Sequence, residues 1–223
     1  MNAKIREYIE KHIELIDTEN FEEFYRIMPE NGFPLSRRGE LTEVLIKAGI
    51  DPADYLKVLP FRYLADTEIE SYSIPGNITS IGVVAFTDCV KLKDLIIRNG
   101  VERIESRAFQ GCSSLIRVDL PDSVVQIDDS VFESCYGLIE VTLGNNLKSI
   151  QNEAFRWCES LETIKIPASV TFLGIDLFRG CSNLKVIEYS GTLNQWKHIV
   201  QSNTLAGSSI EQLKCKDTTI NFY

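Results

Sequence analysis

Histidine is scarce in this sequence, and the residue patterns of common catalytic sites are missing. The 223 residues include two histidines, His12 and His198, which fall in different predicted regions and offer no paired metal ligands. No phosphate-binding loop, H-E-x-x-H, G-x-S-x-G or G-x-G-x-x-G motif occurs. The adjacent acids Asp128 and Asp129 are candidate paired carboxylates, but neighbouring acids in a turn usually form a solvated face. The sequence therefore predicts a non-catalytic protein with no metal and no cofactor.

An excess of positive charge and a long apolar run are also missing. Lys and Arg number 23 against 32 Asp and Glu, which gives a formal net charge of -9. Because nucleic-acid binders concentrate cations to neutralise phosphates, direct phosphate binding to nucleic acid is not expected. The opening "MNAKIREYIEKHIELI" is charged throughout, and no stretch reaches the roughly 18 apolar residues of a membrane span. These features predict a cytoplasmic protein without membrane contact; a surface or secreted protein is the alternative.

Cysteine is present, but not in the pairs that bind zinc. The sequence has six cysteines and no C-x-x-C, and five of them follow one another at intervals of 23 residues (112 minus 89, and so on). These five are Cys89, Cys112, Cys135, Cys158 and Cys181. In-phase residues of stacked coils point the same way at about 4.8 Å, whereas a disulfide needs side chains that face each other. The spacing therefore predicts a buried column of reduced thiols.

Five further rows of mostly apolar residues share the period of 23. They are Phe86, Phe109, Phe132, Phe155 and Phe178; Leu92, Leu115, Leu138, Leu161 and Leu184; Ile81, Ile104, Ile127, Ile150 and Leu173; Leu95, Val118, Val141, Ile164 and Ile187; and Ile97, Leu120, Leu143, Ile166 and Tyr189. A fixed period of this length predicts a solenoid in which each coil buries its apolar side against its neighbours. Within one coil, "LIRVDLPDSV" alternates as a short strand that Pro121 ends, and the segment containing Val101, Ile104 and Phe109 closes the other side.

The pattern L-x-x-[LVI]-x-[LI]-P-x-x-[VL]-x-x-I-x-x-x-A-F-x-x-C resembles the BspA-like, Treponema-type subclass of leucine-rich repeats with 23 residues per repeat. The resemblance implies an α/β-type repeat solenoid with a parallel sheet on its concave side. The sequence departs from the general leucine-rich consensus, which has Asn or Cys after the strand. At that position, residues 100, 123, 146, 169 and 192 are Gly, Ser, Asn, Ser and Thr. A regular asparagine ladder is therefore not expected.

Four segments follow from these patterns. Residues 1–57 have a helical period and carry much of the acidity, so they form either an N-terminal cap or a small domain. In this segment Asn20 is predicted to cap one helix, Gly49 to end another, and one helix to have an apolar face made of Ile5, Ile9, Ile13 and Ile16. Residues 58–77 form a degenerate first repeat, with Tyr63 in the phenylalanine row and Asp66 in the cysteine row. Residues 78–192 hold five repeats. Residues 193–223 form a C-terminal cap whose short helix places Trp196 over the last coil.

The candidate binding site consists of outward strand positions, two isoleucines just before the strands, and Trp157, which precedes a cysteine of the column. The candidate residues are Asp94, Ile96, Ile116, Arg117, Asp119, Ile139, Glu140, Thr142, Trp157 and Lys165. One interpretation is that the alternating charges only neutralise one another between strands; the other is an apolar recognition centre at Ile96, Ile116 and Ile139 with a charged rim. Trp157 is either an exposed contact or a side chain packed over a neighbouring loop.

A protein partner of unknown identity is therefore expected, bound by the concave face and by the acidic helical segment if that segment has a role of its own. An intracellular adaptor or inhibitor is the first hypothesis. A surface adhesin, as the BspA-like resemblance implies, is the alternative and requires an export signal. An enzyme of unrecognised class is the third hypothesis.

Overall fold

The chain is a parallel β-solenoid of about seven turns in the computed structural model, which describes residues 3–12, 14, 15, 20–28 and 35–222. In chain order the strands are β1 (Val58–Leu59), β2 (Ser71–Ile74), β3 (Ser80–Ile81), β4 (Asp94–Ile97), β5 (Arg103–Ile104), β6 (Arg117–Asp119), β7 (Gln126–Ile127), β8 (Glu140–Thr142), β9 (Ser149–Ile150), β10 (Thr163–Ile166), β11 (Phe172–Leu173), β12 (Val186–Tyr189), β13 (Gln212–Cys215) and β14 (Thr219–Asn221). The described helices are α1 (Ala3–Lys11), α2 (Phe21–Arg26), α3 (Arg38–Lys47) and α4 (Leu193–Ile199), with 3-10 turns at Leu35–Arg37 and Pro52–Tyr55.

Each regular coil contributes one strand to each of two sheets. The longer strands form the concave sheet, which divides into the pair β2-β4 and the group β6-β8-β10-β12-β13-β14. The two-residue strands form a second sheet in the order β1-β3-β5-β7-β9-β11. Val118 pairs with Val141 and Ile104 pairs with Ile127, which confirms the predicted coil of 23 residues. The sequence did not predict the second sheet as strands, because two residues carry too little alternation to mark one.

The phenylalanine row is a continuous stack of fully buried rings. Successive ring centroids from Phe86 to Phe178 lie 5.0, 5.5, 5.6 and 5.9 Å apart, with interplanar angles between 4 and 17°. Burial of one such side chain stabilises the fold by about 1.5–3 kcal/mol, and each ring contact adds about 0.5–1.5 kcal/mol. The stack therefore links each coil to the next along the whole array.

The cysteine row is buried and reduced, as predicted, and it makes a hydrogen bond that the sequence did not reveal. Each thiol donates to a backbone carbonyl of the preceding coil: Cys112 to Phe86 at 3.1 Å, Cys135 to Phe109 at 3.2 Å, Cys158 to Phe132 at 3.1 Å and Cys181 to Phe155 at 3.0 Å. Alanine would fill nearly the same space but would leave the buried carbonyl without this donor. Cysteine is therefore suited to the position as a small apolar residue that can still donate a hydrogen bond.

Serine and asparagine side chains after the strands take the place of a regular asparagine ladder, which the sequence did not predict. Ser123 and Ser169 donate through Oγ to the carbonyls of Val101 and Leu147, each at 2.8 Å. Asn77 donates to the carbonyl of Leu56 at 2.7 Å. Because these bonds join one coil to the preceding one, they satisfy buried carbonyls at the bend that follows each strand.

The first coil departs from the predicted alignment by one residue. Val58 pairs with Ser80, 22 positions later, and Cys89 donates to the carbonyl of Leu64 at 3.0 Å. Leu64 therefore occupies the phenylalanine row and the buried Thr67 occupies the cysteine row. The predicted assignment of Tyr63 and Asp66 to these rows is wrong, because the first coil is one residue shorter than the others. Asp66 lies in an exposed turn.

Tyr63 instead connects the first coil to the N-terminal segment. Its ring meets Phe86 edge to face at 6.3 Å, and its hydroxyl donates to Asp51 Oδ1 at 2.5 Å. Tyr72, on β2, also donates to Asp51, at 2.8 Å to Oδ2. Asp51 caps the 3-10 turn at Pro52–Tyr55 by accepting from the Ala53 amide at 2.9 Å. One carboxylate therefore joins the helical segment to the first coil.

The described helices begin and end largely where the sequence predicts. The Asn20 side chain accepts from the Glu23 amide at 3.3 Å and caps α2. Gly49, just after α3, has a φ of 86°, a conformation in which glycine avoids the strain of a side chain. Ile5 is buried and Ile9 is partly buried on the predicted apolar face of α1. The other two predicted members of that face, Ile13 and Ile16, lie outside the described residues.

The C-terminal segment adds another coil to the array. Thr192 and Gln195 form a capping box at the start of α4, and Trp196 is buried with its ring centroid 5.4 Å from that of Tyr189. The chain then returns as β13, which pairs in parallel with β12, and β14 pairs antiparallel with β13. Trp196 thus packs on the last predicted repeat, as expected, but β13 and β14 continue the concave sheet beyond it.

Candidate protein-binding surface

Three isoleucines project from neighbouring coils of the concave sheet. Ile96 lies within β4, whereas Ile116 and Ile139 immediately precede β6 and β8. Their exposed fractions are 58%, 52% and 44%. Ile116 and Ile139 occupy the same row on adjacent coils, 23 residues apart, and Ile96 lies on the coil before them, three positions farther along its strand than that row. Single exposed apolar residues are common on soluble proteins, but three on successive coils concentrate apolar surface on one face. We call these three residues the isoleucine patch.

The isoleucine patch spans a division in the concave sheet. Ile96 belongs to the pair β2-β4, whereas the other two isoleucines adjoin the group that begins at β6. Leu95, beside Ile96, is only partly buried, although Val118 in the same row is fully buried. The row of core residues that contains Leu95 and Val118 is therefore less tightly covered at β4 than at β6. Apolar surface is concentrated at this point of the sheet.

Charged side chains beside the patch form pairs between adjacent coils. Arg117 and Glu140 lie 2.7 Å apart across β6 and β8, and Lys93 lies 3.7 Å from Glu70. Farther along, Lys185 pairs with Glu211 at 3.1 Å. This pairing follows the alternation of charge seen in the sequence. Each pair is solvent exposed and contributes at most about 1 kcal/mol to stability.

Three charged candidates on the same face are not neutralised in this way. Asp94, Asp119 and Lys165 are exposed, and their side chains form no ion pair within the part of the chain that the structure describes. Asp94 lies two positions before Ile96 on β4, Asp119 lies 23 residues after Ile96, in the same row of the repeat, and Lys165 lies on β10. These charges remain available to an incoming partner.

A shallow depression lies on the same face beyond the patch. Its volume is about 340 Å³. Glu140, Thr142 and Lys165 contribute to its lining, together with Thr163 and Pro167. The structure thus brings three predicted residues together around one concavity, in register across β8 and β10.

Trp157 occupies a turn rather than a strand of the concave sheet. Its φ is 60°, and its indole covers the backbone of Gly180 in the next coil, where a Cβ would lie only 2.2 Å from Trp157 Cε3. Because Gly180 lacks a side chain, the indole can lie flat on that turn. This is the packing over a neighbouring loop that the sequence left open, although 39% of the Trp157 surface remains exposed.

The acid pair Asp128 and Asp129 has structural contacts rather than a shared site. Asp128 is buried and lies 2.7 Å from Nη2 of Arg103 in the preceding coil. Asp129 accepts from the Asn152 amide at 3.0 Å in the following coil. The expectation that both acids are solvated is therefore wrong for Asp128, because its ion pair with Arg103 joins side chains 25 residues apart in the sequence.

The described part of the chain contains no group of three or more His, Cys, Asp or Glu side chains arranged to hold a metal ion. Within the same residues, no helix is long and apolar enough to cross a membrane. The two histidines lie apart, and each ring bonds a carbonyl of its own helical region: His12 that of Tyr8 at 2.9 Å and His198 that of Asn194 at 2.6 Å.

The coil period and the two-sheet geometry match a known repeat family. A family model described as "BspA type Leucine rich repeat region" matches residues 59–185 in 6 copies. No curated protein matches the chain.

Several solved structures share the fold. A leucine-rich repeat protein from Bacteroides ovatus is 25% identical with a TM-score of 0.58, over 73% of this chain and 47% of its own length. The pneumococcal vaccine antigen PcpA is 27% identical with a TM-score of 0.51, over 68% of this chain and 34% of its own. The T. pallidum leucine-rich repeat protein TpLRR is 23% identical with a TM-score of 0.56, over 71% and 77% of the two chains, a likeness that shows the fold alone. This chain spans less than half of the first two.

Proposed function

The chain belongs to the BspA-type leucine-rich repeat family, and from this membership we propose that it is a non-catalytic module that binds a protein partner through its concave sheet. Repeat solenoids of this kind are typical protein-binding modules and are typically not enzymes. The single observation that carries the proposal is the isoleucine patch, exposed beside unneutralised charges.

The composition of the surface supports a protein partner. Protein interfaces combine an apolar centre with a polar rim. Here the isoleucine patch supplies the centre, and Asp94, Asp119 and Lys165 supply charges without intramolecular partners among the described residues. Because a stacked array is rigid, the surface is organised before binding, which lowers the conformational entropy lost on association.

The test is affinity capture from a native lysate with the intact protein and an Ile116→Glu/Ile139→Glu variant. We expect the variant to fold normally, since both side chains are exposed, and to lose a partner that the intact protein retains. A matched control is Val125→Glu/Ile175→Glu, which places the same charges on exposed apolar positions of the second-sheet side. Equal capture by all three proteins would contradict recognition through the isoleucine patch.

The cellular setting stays a prediction. An intracellular adaptor or inhibitor remains our first proposal, and a surface adhesin is the alternative. Fractionation of the producing cells, followed by detection with an antibody, distinguishes them. Recovery on the cell surface would overturn the intracellular assignment and leave the binding proposal intact.

Residues 1–57 are proposed to act first as the N-terminal cap of the array. Their contacts with the first coil support this role: Asp51 accepts from Tyr63 and Tyr72, and a Cβ on Gly39 of α3 would lie 2.3 Å from the Ala65 carbonyl oxygen. The alternative is that residues 1–57 form a small domain with its own partner. Capture with the Ile116→Glu/Ile139→Glu variant also tests this, because a partner still bound by the variant would require another surface, such as the helical segment.

A further inference from the structure

Arg38, the first residue of α3, is a buried cation at the junction of the helical segment and the first coil. Only 7% of its surface is exposed. Its Nη1 donates to the Phe61 carbonyl at 2.7 Å and its Nη2 to the Tyr25 carbonyl at 3.2 Å, and the guanidinium lies 5.2 Å from the centre of the Tyr25 ring. All these partners are formally neutral.

Within the described residues, no carboxylate forms an ion pair with the positive charge of Arg38, and the Arg38 Nε, which is fully enclosed, has no hydrogen-bond partner. Burial lowers the pKa of Arg38. A buried charge without a counter-ion is costly, and proteins usually pair such a charge or bind an ion beside it. The arrangement is therefore incomplete as a purely structural contact.

A groove with a volume of about 350 Å³ opens beside this residue, between α2 and β1. Tyr25, Leu56, Val58 and Pro60 provide most of its apolar wall, and Arg38 forms part of the same lining. We call this concavity the Arg38 groove. Its size is at the lower end of the range of about 300–1,000 Å³ typical of small-molecule sites, which are apolar with a few placed polar groups.

The Arg38 groove is locally positive in an acidic region. Its lining also includes Lys57 and Arg26, as well as the exposed Glu22 on the rim. Among the lining residues three are cations and one, Glu22, is a carboxylate, and Arg26 is paired with Glu23 at 2.6 Å. Residues 1–70 as a whole contain 9 basic and 15 acidic side chains, a balance of -6. Three of these nine basic residues therefore line the groove.

From the buried, unmatched guanidinium and the apolar walls, we propose that the Arg38 groove binds a small monocarboxylate with an apolar tail. The carboxylate would lie near the Arg38 guanidinium, with Lys57 at the entrance, and the tail would cover Val58 and Pro60. This site is separate from the concave sheet and does not depend on the proposed protein partner. A charged carboxylate is required, since charge-assisted hydrogen bonds to a guanidinium are about twice as strong as neutral ones.

The experiment is an NMR titration of the full-length protein at neutral pH with 4-phenylbutanoate, compared with its neutral isostere 4-phenylbutanamide. We expect the acid to perturb the amide signals of residues 56–59 and of α2, and to bind at least about tenfold more tightly than the amide. Equal affinities would overturn the role of the charge. No perturbation by either compound up to about 10 mM, well above a weak dissociation constant of about 1 mM, would overturn the site itself.

Two variants locate the binding. Arg38→Met removes the charge while keeping most of the side-chain volume, and it should abolish the preference for the acid. Because Arg38 also bonds two carbonyls, its loss could unfold the segment, so Val58→Glu is the second variant: Val58 is 44% exposed, and a carboxylate there should weaken acid binding at least about tenfold. Val83→Glu, at a residue 39% exposed that does not line the groove, is the matched control and should bind normally. Unchanged binding by Val58→Glu would place the ligand elsewhere.

Discussion

The regular coils and the N-terminal junction are stabilised by different kinds of contact. In the coils, the ring stack and the thiol-to-carbonyl bond recur with every period. At the junction, the Asp51 carboxylate and the Arg38 guanidinium each make contacts that occur once. A repeated contact distributes stability over the array, whereas a unique contact concentrates it in one residue. The two regions should therefore respond differently to the same type of perturbation.

Alkaline pH should have the largest effect, and it acts on both the coils and the junction. Burial raises the pKa of the Cys135 and Cys181 thiols from the ordinary 9.0 to about 12. The unfolded chain loses these protons first as pH rises above 9, so it binds fewer protons than the native chain and the free energy of unfolding falls. We expect the stability from these thiols to be present below about pH 9 and lost by about pH 12.

Urea denaturation followed by circular dichroism, repeated from about pH 8 to pH 12, measures this loss. Burial also raises the pKa of Tyr8, in α1, to about 12, and raises the pKa values of Tyr25, Tyr63 and Tyr72 at the junction, which adds contributions of the same sign from that region. A Cys135→Ala/Cys181→Ala variant is the control, since its denaturation midpoint should depend less on pH. A midpoint that is constant across this range in the intact protein would contradict the buried thiol column.

Replacement of one ring in the stack should have the next largest effect. Phe132→Ala removes a fully buried side chain with a neighbour on each face, at 5.5 and 5.6 Å. We expect the free energy of unfolding to fall by about 3–5 kcal/mol. Chemical denaturation measures it, with Ile139→Ala, an exposed position in the same coil, expected to change stability by less than about 0.5 kcal/mol. Similar values for the two variants would be incompatible with a core centred on the ring stack.

Loss of the carboxylate at the junction should have a smaller but more localised effect. Asp51→Ala leaves the hydroxyls of Tyr63 and Tyr72 without their acceptor, at a cost of about 2–3 kcal/mol. Asp51→Asn keeps one oxygen acceptor and should cost less. Hydrogen exchange should accelerate in β1 and β2 but not in β8 and β10. Uniform acceleration along the chain would show that the junction and the coils form one cooperative unit.

The surface pair on the concave sheet should matter least for stability. Arg117→Ala breaks the contact with Glu140 but leaves two exposed residues, so the expected loss is below about 1 kcal/mol and smaller still at high salt. Thermal unfolding at low and high salt tests it, with Lys185→Ala, from another exposed pair, as the matched variant. A loss above about 2 kcal/mol would mean that this pair is coupled to the core.

The periodic part of the fold could be predicted because each row is represented five times, so the columns of Phe132 and Cys135 emerge from spacing alone. The first coil could not be aligned correctly, since its missing residue moves Leu64 and Thr67 into rows where the sequence suggests Tyr63 and Asp66. Long-range contacts that occur once could not be predicted either. Nothing near Asp128 in the sequence indicates its ion pair with Arg103, and nothing near Arg38 indicates its hydrogen bond to the Phe61 carbonyl.

The candidate site likewise has features that the repeat pattern predicts and features that depend on contacts between coils. Alternation along the strands is sufficient to predict that Ile96 and Arg117 face outward. Which charges remain unmatched depends on cross-strand distances, as the pair of Arg117 with Glu140 and the unpaired Lys165 show. The packing of Trp157 on Gly180 was left open because it depends on a turn one coil away. The Arg38 groove was missed because its walls come from separate segments.

The uniform register of the coils also bears on how such a protein can change in length over evolution. Residues 125–147 make up one whole period, so their removal would join Val124 to Lys148 in the phase that Leu147 and Lys148 now occupy. Every column would stay aligned, although 23 residues would be gone. Loss or duplication of a coil therefore disturbs packing less than the truncation of a single ring, and it alters the reach of the concave surface in fixed steps of about 4.8 Å. The number of coils thus sets the length of the concave surface, and with it the size of the partner that the surface can cover.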